Sequence, residues 1–132
     1  MVQKATLSKA TLDNIQKIID TKNYLLNLNI KNQKFISAIY QSGIIDTYEL
    51  IQAIWNIANK RPFNFGKDDQ GYPGFIYIWN DLPLKEVLIG LELEMHEFKY
   101  CEALKPNKNV YFKFRFNLNS KELVILSIHI SD

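Results

Sequence analysis

A chain of 132 residues with 47% hydrophobic and 13% aromatic side chains can bury a core without disulfide or metal staples, and its composition is that of a globular rather than a disordered protein. The net charge of +2 is too small to announce a nucleic-acid binder by itself. A lone cysteine, Cys101, excludes a disulfide framework and a cysteine-rich metal site, and no run approaches the roughly 18 apolar residues that a membrane span needs.

The elements follow in chain order. The opening segment is polar and periodic, without the apolar core of a signal peptide; with Cys101 the single thiol, a reducing cytoplasm is the expected setting. "TLDNIQKIID" places Leu12, Ile15, Ile18 and Ile19 on one helical face, with Thr11 as N-cap. "NYLLNLNIKN" either continues that helix or forms an extended link. "NQKFISAIYQSG" repeats the helical spacing with Phe35, Ile36, Ile39 and Tyr40 and stops at Gly43. "DTYELIQAIWNIANK" opens with Asp46 and Glu49 in capping-box spacing, before an apolar set from Leu50 to Ala58.

"RPFNFGKDDQGYPG" is rich in proline and glycine and predicts a loop. A short buried strand, "FIYIW", comes next. "DLPLKEVLIGLELEMHEFKY" then spaces Leu84, Val87, Leu88, Leu91, Met95 and Phe98 as one helical face, with Gly90 mid-helix against a neighbouring backbone. After the break "KPNKN" come two strands, "VYFKFRF" and "LVILSIH". The expectation is one α+β domain over residues 1–132. Its first part, about 1–60, is helical, and its second, about 75–132, is a small antiparallel sheet packed on a helix.

Register decides which side chains of the closing hairpin meet. Val110, Phe112, Phe114 and Phe116 share one strand face; Tyr111, Lys113, Arg115 and Asn117 share the other. A three-residue turn at 119–121 pairs Phe116 with Val124, Phe114 with Leu126 and Phe112 with Ile128, which makes one face wholly apolar. The opposite face then sets Tyr111 against His129, Lys113 against Ser127 and Arg115 against Ile125, with no acidic residue among them. Charge gathers in the same region: residues 99–121 carry six Lys or Arg against Glu102 alone.

A strip of imidazole, phenol, ammonium and guanidinium suits metal-free cleavage of RNA. There the 2′-OH attacks the adjacent phosphorus and the 5′ oxygen leaves. Histidine titrates near neutrality and serves as acid or base. Arginine grips phosphate through its fork and lysine acts as a point charge. The same residue types also furnish an ordinary solvated sheet face. His96, in the long helix, is a rival histidine. Asp68 and Asp69 could hold a cation, although adjacent aspartates in loops mostly form turns. No P-loop, dinucleotide fingerprint, nucleophile elbow or HExxH pattern is present, and neither metal nor cofactor is expected.

"VLIGLELEMHEFKY", "VYFKFRF" and "LVILSIH", spanning about residues 84–130, resemble the MqsR family of toxins, bacterial ribonucleases related in fold to the RelE toxins. Tyr111 and Lys113 fall on the family's "YLK"-like positions, and His129 falls near the basic residue that ends its last strand. The N-terminal 60 or so residues do not match and would be extra helices, either in a stand-alone protein or in a module of a longer secreted effector. The resemblance implies a RelE-like fold and a cytoplasmic, metal-independent endoribonuclease acting on mRNA or tRNA, held in check by a cognate antitoxin or immunity protein. Under it His129, Tyr111, Lys113 and Arg115 are catalytic, and Lys99, Lys105 and Lys108 track the RNA backbone. The alternative is a non-enzymatic immunity, antitoxin or phage-encoded inhibitor protein. It would cover a partner protein with the same sheet face or with the aromatic loop around Phe63, Phe65 and Tyr72.

Overall fold

The computed structural model describes residues 3–5, 8–42, 46–68, 70–92 and 107–131. They form a mixed α+β fold with four helices: α1 (Lys9–Asp20), α2 (Ile30–Ser42), α3 (Thr47–Ala58) and α4 (Leu84–Gly90). The strands are β1 (Gln3–Ala5), β2 (Leu25–Leu26), β3 (Phe63–Lys67), β4 (Phe75–Pro83), β5 (Asn109–Asn117) and β6 (Glu122–Ile130). Their order in the sheet is β1-β3-β4-β5-β6-β2. The strands β3 to β6 form an antiparallel meander, whereas β2 runs parallel to β6. The sheet is therefore larger than expected from the sequence, and mixed rather than antiparallel.

Helices α1 and α3 start where side-chain oxygens meet their free N–H groups. Ser8, not Thr11, caps α1: its hydroxyl accepts from the Thr11 N–H at 3.2 Å. Asp46 caps α3 by accepting from the Glu49 N–H at 2.8 Å, as its spacing predicts. The ambiguous segment after α1 is neither helix nor simple link; Lys22 turns the chain with φ 60 and β2 follows. The predicted loop after α3 contains β3, and Gly66 lies inside that strand. The long helix of the second half is short, because β4 continues to Pro83 and Glu92 takes a left-handed φ of 58. Gly90 is consequently a last-turn residue, and a Cβ there would stand 3.6 Å from the Ala53 side chain, an ordinary contact. Met95, Phe98, Gly43 and Cys101 lie outside the described residues.

One face of the sheet carries the core. Trp79, Phe112, Phe114, Phe116, Leu123, Ile125 and Ile128 are buried together with Ile15 and Ile19 of α1, Phe35 and Ile39 of α2, and Ile51, Ile54 and Trp55 of α3. Trp55 meets Trp79 edge-on at 6.1 Å and Phe114 at 6.0 Å, while its indole N–H donates to the Gln16 side chain at 2.8 Å. Among the described residues, helices thus cover one side of the sheet and leave the middle of the other side open.

The closing hairpin departs from the expected register in one half only. Tyr111 pairs with His129, Phe112 with Ile128 and Lys113 with Ser127, as expected. Beyond a bulge, Phe114 pairs with Ile125, Arg115 with Val124 and Phe116 with Leu123. The turn spans four residues. The Asn117 side chain accepts from the Asn119 N–H at 2.9 Å and from the Ser120 N–H at 3.3 Å, and Lys121 closes the turn with φ 59. Leu126 is the extra residue. Its insertion buries Leu123 and Ile125 in place of Val124 and Leu126.

A buried asparagine holds this irregularity in place. Asn32, in the first turn of α2, is fully buried. Its amide donates to the carbonyls of Asn27 at 2.6 Å and Leu126 at 3.1 Å, and its oxygen accepts from the Ile128 N–H at 2.8 Å. Where β2 ends, Asn32, with a longer contact from the Asn29 amide to the Leu126 carbonyl at 3.4 Å, supplies hydrogen bonds that a further strand would otherwise give to the edge of β6.

Candidate functional site: the open face of the sheet

Alternation along β5 sends Tyr111, Lys113 and Arg115 to the open face, because Val110, Phe112, Phe114 and Phe116 are buried on the other. The four residues expected to share a strip do share it. They form three distinct environments along its length, however, and not one constellation.

At one end the Tyr111 and His129 rings stack, with centroids 5.3 Å apart and planes 15° from parallel. His129 Nδ1 lies 2.9 Å from the Ile130 carbonyl oxygen. A carbonyl can only accept, so Nδ1 carries the hydrogen, and of the two tautomers this contact selects the one with its lone pair at Nε2. Burial raises the pKa of the Tyr111 phenol above its ordinary value of 10. At neutral pH Tyr111 is therefore a hydroxyl donor, not a phenolate. Lys108 lies just before β5, on the side of the strip where this pair sits; its carbonyl accepts from the Leu84 N–H at 3.0 Å.

At the centre, Lys113 lies between its cross-strand neighbours Ile78 and Ser127. It has no ion pair among the described residues. A cleft of about 550 Å³ opens here, floored by Ile76, Ile78 and Leu126 and rimmed by the segment after β2 and the loop after β3.

At the other end Arg115 is already engaged. Its Nη1 lies 3.2 Å from a carboxylate oxygen of Asp68, and Tyr72 covers the guanidinium with its ring centroid 4.3 Å away. The side chains are only 14% and 6% exposed, so solvent screens the pair weakly. The expectation that no acid reaches the strip is corrected: Asp68 arrives from the β3–β4 loop. That loop is also where Asp68 forms a turn, its second oxygen accepting from the Gln70 N–H at 2.7 Å. The arrangement makes Arg115 a clasp for the loop, with its charge offset by Asp68. Asp69, His96, Lys99 and Lys105 lie outside the described residues. Among the described residues no group of three or more His, Cys, Asp or Glu could hold a metal ion, and no helix is long and apolar enough to cross a membrane.

Sequence reasoning missed Asp68 and Tyr72 as partners of Arg115, and it missed Asn32. A signal for Asn32 existed: it stands three residues before Phe35 and seven before Ile39, on the apolar face of α2. No such signal pairs Asp68 with Arg115 across 47 positions.

The phenols predict a pH dependence. Burial raises the pKa of Tyr77 and Tyr111, and burial followed by the negative charge of Asp46 raises that of Tyr24. Above pH 10 the unfolded chain releases these protons before the folded chain does. Unfolding then releases protons, so the contribution to stability is intact below pH 10 and is lost as pH rises through the folded-state values. Urea midpoints measured from pH 8 to 11 are expected to fall above pH 10, and Tyr111→Phe is expected to reduce that fall.

No family model, curated protein or solved structure matches this chain.

Proposed function

We propose that this chain is a toxin-type, metal-independent endoribonuclease that lays single-stranded RNA across the open face of its sheet. The observation that carries the reading is the Tyr111–His129 stack, next in register to Lys113, which has no ion pair among the described residues. Residues two apart on a strand are separated by about 6.6 Å, so base, acid and cation lie within reach of one phosphodiester.

His129 Nε2 takes the proton of the 2′-OH as that oxygen bonds to phosphorus. The bond from phosphorus to the 5′ oxygen breaks, and the leaving oxygen receives the Tyr111 proton. Lys113 offsets the charge that builds on the phosphorane. Afterwards the imidazolium returns its proton, through water, to the phenolate. Products are a 2′,3′-cyclic phosphate and a 5′-OH. A RelE-like arrangement belongs to the same proposal, with helices on one face and chemistry on the other. So do action in the cytoplasm, backbone tracking by Lys99, Lys105 and Lys108, and a cognate antitoxin or immunity protein. Arg115 loses the part of free phosphate clamp and serves by fixing the β3–β4 loop.

One observation favours the second reading, an inhibitor that covers a partner protein. The side chain best suited to phosphate, Arg115, is already tied to Asp68 and covered by Tyr72. Expression in bacteria separates the two. Under the ribonuclease reading the wild type arrests growth and degrades cellular RNA, while His129→Ala accumulates freely. Equal accumulation of folded, harmless wild type and variant would contradict it and favour the inhibitor.

A further inference from the structure

We infer that the cleft around Lys113 is a base-selecting pocket for one RNA nucleotide beside the cleavage point, an inference that rests on the RNA reading of this face. Ile76, Ile78 and Leu126 give the pocket an apolar floor. Leu126 is there because of the bulge: it lines the cleft together with Ser127, its neighbour in sequence. Gly66 pairs with Ile76 and therefore lies on the same face. Having no side chain, it leaves the floor open beside β3.

The polar groups match a nucleotide. Lys113 and Ser127 face each other across the β5–β6 pairing, so an ammonium and a hydroxyl can meet one phosphate. Asp68 is the one carboxylate among the described lining residues. One of its oxygens is on Arg115 and the other on the Gln70 N–H, so its charge is already offset. Asn27 and Gln70 reach the rim from opposite sides. Their carboxamides each offer a donor and an acceptor, the pattern that reads a base edge. A volume of about 550 Å³ falls within the range of small-ligand pockets and suits one nucleotide, not a duplex.

The test is binding of 5′-fluorescent 2′-O-methyl trinucleotides of A, C, G or U, which have no 2′-OH to attack with. Wild type is expected to prefer one of the four at least tenfold. Lys113→Ala is expected to weaken all four several-fold, and Gly66→Val, which places a side chain in the floor, to erase the preference. Gly66 has no positive φ, so valine meets no backbone strain there. Should Gly66→Val fail to fold, Asn27→Ala with Gln70→Ala at the exposed rim asks the same question. Equal affinity for the four trinucleotides would overturn the pocket, as would a preference that survives the floor or rim variants. A free mononucleotide binding as tightly as its trinucleotide would overturn the assignment to RNA. Base-selective binding without cleavage of unmodified RNA would leave the pocket standing and remove the ribonuclease chemistry alone.

Discussion

His129→Ala is expected to slow RNA cleavage by roughly 10²–10⁴-fold, the usual contribution of a positioned general acid or base. The size of the effect follows from position. His129 is set directly opposite Tyr111 on the open face, with its Nδ1 on the Ile130 carbonyl, and under the proposed ribonuclease reading its Nε2 takes the proton of the 2′-OH. Alanine removes the proton acceptor and the stacking partner together. The fold tolerates this, because the ring is only half-buried and the lost stacking is worth about 0.5–1.5 kcal/mol. Single-turnover rates, read beside a urea titration of the same preparations, separate lost chemistry from lost structure. A fall of less than tenfold in a well-folded variant would remove His129 from the proton-transfer step.

Asn32→Leu is expected to destabilise the fold by about 1–3 kcal/mol, the cost of leaving a buried group, the Ile128 N–H, unsatisfied. The wild-type carboxamide serves Asn27, Leu126 and Ile128 at once. Leucine keeps much of the volume but offers the Ile128 N–H nothing in return, and it leaves the Leu126 carbonyl only the Asn29 amide at 3.4 Å. Because those groups belong to the bulge, the damage also reaches the open face: Leu126 lines the cleft only in the bulged register. Urea unfolding reads the effect as a lower midpoint at unchanged slope. A shift under 1 kcal/mol would mean that water or a rearranged strand replaces the asparagine.

Much of the candidate face was legible because β5 alternates without exception. Four buried apolar residues, Val110, Phe112, Phe114 and Phe116, leave one possible face for Tyr111, Lys113 and Arg115. The pairing of Tyr111 with His129 followed from the same pattern. The half of β6 nearest the turn was not legible, and the reason is in its residues. Positions 123–126 read Leu-Val-Ile-Leu, so either register buries apolar side chains and hydrophobicity cannot choose between them. The choice is made by the Asn117 turn at one end of the strand and by Asn32 at its edge.

The remaining differences have similar causes. With three and two residues, β1 and β2 are too short to show a period. In β3, Phe63 and Phe65 are masked by Pro62, Gly66 and the turn residues that follow. The leucine spacing after Gly90 continues past the point where Glu92 turns the backbone left-handed. Arg115 reads as a free phosphate ligand until the loop carrying Asp68 and Tyr72 is folded over it, a contact that depends wholly on tertiary structure.

The central claim is that the open face cleaves RNA without metal through its own imidazole and phenol. The most direct test is the chemistry of the ends that purified wild-type protein leaves on unmodified RNA in excess EDTA. The account predicts cleavage with 2′,3′-cyclic phosphate and 5′-OH ends. Intact RNA after incubation with folded protein, or fragments ending in 3′-OH and 5′-phosphate, would contradict it.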